Sequence, residues 1–264
     1  MRQWLSSDLS DLNLLVIQID GFHVGDHVVV AEIGVDGNGD KHVLAVVEGA
    51  TENTVVVQAL LDNLTGRGLD ATLPRLFIVD GAKALSRAIR NTFGIAAAIQ
   101  RRQVHKGRKI IERLPEHLHA SVRNALRQAW DQDDADKAER SLHNLARRLE
   151  QVDPGVAGSI LEGLDEILTV IRLGLPHKLR RSLACTNIIE NALGTGRRVS
   201  GNVKPWRNAE MALRSTATGP LEAHNTFLRR LKAYRQPPIL RTALQEHMRK
   251  AQADNTLETI MKFA

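Results

Sequence analysis

Apolar residues change their period once along this chain. Up to about residue 100 they form short runs rich in β-branched side chains; beyond it they recur at helical spacing. Residues 14–20 (LLVIQID), 27–35 (HVVVAEIGV) and 41–48 (KHVLAVVE) are runs of the first kind and predict strands. The DGNGD between the second and third is a hairpin signal, because Asp-Gly and Asn-Gly tolerate the left-handed backbone of a tight turn. Thr51 to Arg67 (TENTVVVQALLDNLTGR) carries helix-spaced apolar residues, with Thr51 as the N-cap candidate and an end before Gly68. A strand at 75–80 (RLFIVD), a helix at 82–93 (AKALSRAIRNTF) and a short strand at 95–100 (IAAAIQ) follow. The order β-β-β-α-β-α-β predicts an antiparallel meander leading into a parallel β-α-β arrangement, an α/β fold.

After Gln100 the strand signal disappears. ASVRNALRQAWDQDD, ADKAERSLHNLARRLEQ and GSILEGLDEILTVIRL read as three helices, with Pro154 and Gly155 breaking the last two. The stretch from about 105 to 180 is predicted to be a helical insertion interrupting the α/β layer. The rest of the chain is mostly helical in pattern, apart from the loop GTGRRVSGNVKPW at 194–206.

Composition narrows the class. The 264 residues, 43% hydrophobic and 25% charged, suffice for a buried core in one elaborated domain or two small ones. The formal net charge is +6, which favours a polyanionic partner. From Arg172 to Arg235 there are 13 Lys and Arg against 3 acids, a local +10 that leaves the remainder at −4. The single cysteine, Cys185, excludes an internal disulfide framework and fits a reducing cytoplasm. No apolar stretch approaches a membrane span, and MRQWLSSDLSDLN lacks the pattern of a secretion signal, so the expected location is cytoplasmic.

The chemistry concentrates on acids. VIQIDG (16–21) and FIVDG (77–81) are apolar runs that end in Asp20 and Asp80, and Glu190 lies downstream in TNIIEN. Taken singly, an Asp-Gly after a strand is a turn. Two on neighbouring central strands, joined by a helical glutamate, can instead hold divalent cations of the kind phosphodiester chemistry uses. His23 and His27 in HVGDH have no cysteine beside them, so no structural zinc is expected, and Asp26 reads as a loop residue. In the loop Gly194–Trp206, Arg197, Arg198 and Lys204 suit phosphate contacts and Trp206 suits base stacking, against the plainer reading of a solvated loop around a packed Trp. Arg229, Arg230, Lys232 and Arg235 form a basic run on a predicted helix, a candidate DNA-backbone face.

Several blocks in order resemble the mutator-type transposases of bacterial insertion sequences. IDGFHVGDHVVVAEIGVDGNGDKHVLAVVEGATEN is similar to their first catalytic block, FIVDGAKAL to the second, and IQRRQVHKGRKI to the segment beyond it. TNIIENALGTGRRVSGNVKPW and LEAHNTFLRRLKAYR resemble the third block and its C-terminal extension, so the likeness runs from roughly residue 14 to 247.

The resemblance implies a ribonuclease H-like mixed sheet interrupted by an all-α insertion, with a helical C-terminal extension. It places the first part of the core at 1–104, the insertion at 105–182, the remaining core with the glutamate helix at 183–218, and the basic extension at 219–264. Asp20, Asp80 and Glu190 would be the catalytic triad, holding two Mg²⁺ ions for which Mn²⁺ can substitute. One ion would activate a water or a 3′-hydroxyl and the other would stabilise the leaving oxygen, so that a single site cleaves DNA and joins strands. The implied partners are DNA, as element terminal repeats and target, and further copies of the chain. His105 is a candidate accessory residue, but Arg102 stands where the family carries Cys or Asp, and Ser215 where an aromatic is usual. The first catalytic strand falls close to residue 1, so the N-terminal recognition region of such enzymes is expected to be missing. The alternatives are a truncated, non-catalytic fragment that binds DNA or inhibits a full-length enzyme, and a nuclease that hydrolyses without joining.

Overall fold

The computed structural model describes residues 6–24, 27–51, 53–184 and 236–263. The chain divides into two compact units, one of Met1–Ala98 with Asn187–Ala264 and the other of Ile99–Thr186.

The first unit is built on strands β1 (Leu14–Val24), β2 (His27–Asp36), β3 (Lys41–Glu48) and β4 (Leu76–Val79). Helix α1 (Thr54–Gly66) precedes β4 and α2 (Lys83–Phe93) follows it. With β5 (Ala98–Arg101), inside which the unit boundary falls, the strands form one sheet of order β3-β2-β1-β4-β5. The β1–β2 and β2–β3 pairs are antiparallel and β1–β4 is parallel, so the sheet is mixed. Residues 14–20 of β1 and all of β4 are buried, which explains why both read as unbroken apolar runs rather than alternating ones. In the β2–β3 ladder the register shifts between Glu32 and Ile33, leaving Leu44 as the extra residue, and Arg67 Nη1 donates to its carbonyl at 2.9 Å.

The cap of α1 differs from expectation. Asn53 is the N-cap, its Oδ1 accepting from the Val55 and Val56 amides at 3.0 and 3.3 Å. Thr51, the predicted cap, lies upstream of the helix and is used elsewhere.

The second unit continues with α3 (Gln103–Ile111), α4 (Glu116–Trp130), α5 (Ala135–Leu149), α6 (Pro154–Leu161), α7 (Leu164–Ile167), α8 (Thr169–Arg172) and α9 (His177–Ala184). Its core joins Ile110, Leu114, Val122, Leu126, Leu142, Leu145, Val156 and Ile160, one apolar stripe from each of α3 to α6 and the turn after α3. Asp134 and Asp153 cap α5 and α6, and Pro154 opens α6 where a missing amide costs nothing. The single helix expected over 158–173 is three pieces. Gly163 has φ 70°, and an added Cβ would lie 2.7 Å from the Arg101 guanidinium carbon, so the chain turns there around a buried cation.

Helix α10 (Pro237–Phe263) belongs to the first unit, where Leu240 and Leu244 are buried. Leu244, His247 and Met248 border a small cavity with Arg75, Phe77 and Phe93. Burial and the nearby Lys250 hold the His247 pKa below its ordinary value. Among the described residues no helix is long and apolar enough to cross a membrane.

Candidate active site

The parallel ladder pairs Val16 with Leu76, Ile17 with Phe77 and Gln18 with Ile78. The same offset carried two residues further sets Asp20 beside Asp80. Paired positions on parallel strands point to the same face, with backbones about 5 Å apart. The two aspartates of the sequence motifs therefore lie on neighbouring chain segments of one sheet, Asp20 within β1 and Asp80 directly after β4. Asp20 is buried and Asp80 is half-buried.

Asp80 is held by two donors. Its Oδ1 accepts the Ala82 amide at 3.1 Å and its Oδ2 accepts the Thr51 hydroxyl at 3.0 Å. Gly81, with φ 103°, turns the chain from β4 towards α2, a backbone conformation that side chains other than glycine's resist. The Asp20-Gly21 step is no turn. β1 runs on to Val24, pairing Gly21 with Val30 and Phe22 with Val29. Glycine occupies position 21 because Thr51 packs against it: an added Cβ would stand 3.3 Å from Thr51 Cγ2 and 3.5 Å from Thr51 Oγ1. Thr51 thus touches both acidic strands. Sequence reasoning missed this role, since a threonine just ahead of a helix reads as a cap.

The donor set is all oxygen, as hard divalent cations prefer. Each Asp80 oxygen accepts one hydrogen bond, and an ionised carboxylate has about four lone-pair sites, so lone pairs remain for a metal. Among the described residues no three His, Cys, Asp or Glu side chains gather into a metal cluster. Asp20 and Asp80 are, among the described residues, a pair of candidate ligands. Glu190 lies outside the described residues, as do Asp26, Cys185, Arg197, Arg198, Lys204, Trp206, Ser215, Arg229, Arg230, Lys232 and Arg235. His23 and His27 sit on the facing ends of β1 and β2, where His23 pairs with Val28 and His27 with Val24.

His105 and Arg102 lie in the second unit, where Arg102 is buried directly before α3. Arg102 Nη2 is 3.2 Å from His105 Nδ1. A guanidinium only donates, so in this contact Nδ1 would be the acceptor.

One further acid went unread. Glu32, within HVVVAEIGV, is fully buried, and neither of its carboxylate oxygens has a hydrogen-bond partner. Burial pushes its pKa up to about 8, against the attraction of Arg67. It pairs in register with Ile19, and so faces away from Asp20.

These features define an α/β protein with one motif aspartate in a central strand and the other directly after the strand parallel to it. The sequence profile described as "Transposase, Mutator family" matches residues 9–229, and the chain belongs to that family. It is 27% identical over 202 residues to the transposase for insertion sequence element IS6120 of Mycolicibacterium smegmatis, covering 74% of this chain and 61% of that protein. It is 27% identical over 205 residues to the transposase for element ISRM5 of Rhizobium meliloti (strain 1021), covering 78% and 50%. The transposase for element IST2 of Acidithiobacillus ferrooxidans is 28% identical over 165 residues, covering 62% and 54%. The matched stretch thus spans 50% to 61% of the length of these relatives.

Proposed function

We propose that this chain is the catalytic part of a DNA transposase, with a ribonuclease H-like core whose Asp20, Asp80 and Glu190 hold Mg²⁺ or Mn²⁺. The observation that carries the reading is the β1–β4 register, which sets the two motif aspartates side by side in a member of a transposase family. Bound there, divalent metal would supply Lewis-acid activation of the attacking oxygen and charge stabilisation at the leaving one. The chain itself supplies placement. The buried β1 and β4 fix the two Cα positions, and Thr51 with the Ala82 amide fixes the Asp80 carboxylate. Arg197, Arg198, Lys204 and Trp206, with the basic run at Arg229 and Arg230, are the residues assigned to DNA. Joining two element ends to a target calls for more than one copy of the chain on DNA.

The test is nicking of supercoiled plasmid with Mg²⁺ or Mn²⁺, comparing the chain with Asp80→Asn. Metal-dependent nicking that disappears in the variant is the expected result. Equal behaviour of the two proteins, with DNA binding retained, would overturn the proposal and leave a non-catalytic DNA-binding fragment. Nicking without joining of a 3′-hydroxyl end to target DNA would identify a nuclease instead.

A further inference from the structure

Thr51 is 3% exposed, and its side chain makes two contacts that converge on the acidic pair. Its hydroxyl donates to Asp80 Oδ2 at 3.0 Å across 29 residues of chain, and its methyl side packs on Gly21, the neighbour of Asp20. We infer that Thr51 is the positioning residue of the metal site, a clip that sets the plane of the Asp80 carboxylate and locks it to the strand carrying Asp20. The inference rests on Asp80 being a metal ligand.

The reasoning is geometric. A carboxylate at a strand end turns freely about its last bond unless both oxygens are engaged. Here the Ala82 amide engages Oδ1, and Thr51 is the donor on Oδ2. Threonine suits the task because its branched Cβ restricts χ1, and burial removes the remaining freedom. A neutral donor also orients the carboxylate without placing a positive charge beside an incoming cation. The absence of a side chain at 21 is what lets Thr51 come close enough, so Gly21 belongs to the same device. Partners that orient a ligand in this way typically change metal affinity by about 10- to 100-fold when lost.

The experiment is Mn²⁺ binding to the full chain, followed by electron paramagnetic resonance and calorimetry, with nicking measured as a function of Mn²⁺ concentration. Thr51→Val keeps the shape and removes the hydroxyl; it is expected to weaken Mn²⁺ binding by about 10- to 100-fold. It should also raise the Mn²⁺ concentration needed for nicking while leaving the maximal rate largely recoverable. Thr51→Ser, which keeps the hydroxyl, should rescue both. Gly21→Ala gives an independent arm that changes neither Thr51 nor Asp80. Its Cβ presses on Thr51 Cγ2, so it should weaken Mn²⁺ binding in the parent, and much less in a Thr51→Ser background where that methyl is gone.

Parent-like Mn²⁺ affinity in folded Thr51→Val, in a chain that loses Mn²⁺ on Asp80→Asn, overturns the inference alone. Should Thr51→Val fail to fold, an equal effect of Gly21→Ala in both backgrounds overturns it. Unchanged Mn²⁺ binding in Asp80→Asn overturns the proposed metal site and the inference with it.

Discussion

A single buried acid gives the first unit a distinct response to pH. Glu32 lies in the middle of β2 with no hydrogen bond to either oxygen, and Arg67 is close enough to attract it. The Arg67 guanidinium is itself committed, donating to the Ser7 carbonyl at 2.8 Å, the Ser7 hydroxyl at 2.9 Å and the Leu44 carbonyl at 2.9 Å. Burial therefore dominates, and the Glu32 pKa stands at about 8 rather than 4.5. A carboxyl whose pKa is raised by folding contributes its full stability below the unfolded value. That contribution falls as pH rises, and is gone once pH passes the folded value. The window is about 4.5 to 8, with a slope of at most about 1.4 kcal/mol per pH unit. Glu32→Gln mimics the neutral form. Its melting temperature should be near that of the parent at the acid end of the window and exceed it increasingly towards pH 8. A difference that stays constant across that range would rule out Glu32 as the titrating group. The lone glutamate among apolar residues was visible in the sequence, but its burial depends on the strands and helix packed around it. Thr51 reads locally as a helix cap, and a contact across 29 residues displaced that role.

At the scale of elements, the second unit is tied internally by polar side chains around Ile99–Arg101. Gln100 Nε2 donates to the Ile167 carbonyl at 2.8 Å and its Oε1 accepts the Val170 amide at 3.0 Å. Thr169 donates its hydroxyl to the Ile99 carbonyl at 2.6 Å, and Arg101 Nε meets Glu166 Oε2 at 2.5 Å with both side chains buried. These bonds satisfy the broken backbone where α7 and α8 replace the continuous helix that the apolar period predicts. Arg101→Met alone removes the buried cation that Glu166 Oε2 meets and should cost about 3–5 kcal/mol of unfolding free energy. Adding Glu166→Leu should return stability close to the parent, as read by urea denaturation; a double variant as weak as the single would show that the pair holds more than its own charges. The strands β1 to β3 were legible because β-branched runs and the DGNGD turn are local signals. The break at Gly163 was not, because its cause is an arginine 62 positions away in the chain.

For the molecule as a whole, the uneven charge sets how it would meet the DNA proposed as its partner. The net +6 is concentrated between residues 172 and 235, where the balance is +10. Each phosphate contact adds about 0.9 to the magnitude of the slope of log affinity against log salt. Replacing Arg229 and Arg230 by Gln should therefore reduce that slope by about 2, whatever the DNA sequence. An unchanged slope would remove this run from the proposed DNA face.

The sequence by itself determined the order of the strands and first helices, the change from a sheet to helices near residue 100, and the apolar runs that carry Asp20 and Asp80. Each is set by neighbours within one turn or one strand, and a periodic pattern records that directly. Tertiary structure alone decided that the strands carrying the two motifs pair in parallel, that Thr51 holds Asp80 rather than capping α1, and that Glu32 is buried. Those facts depend on which distant segments share a volume, and distance along the chain carries no record of that.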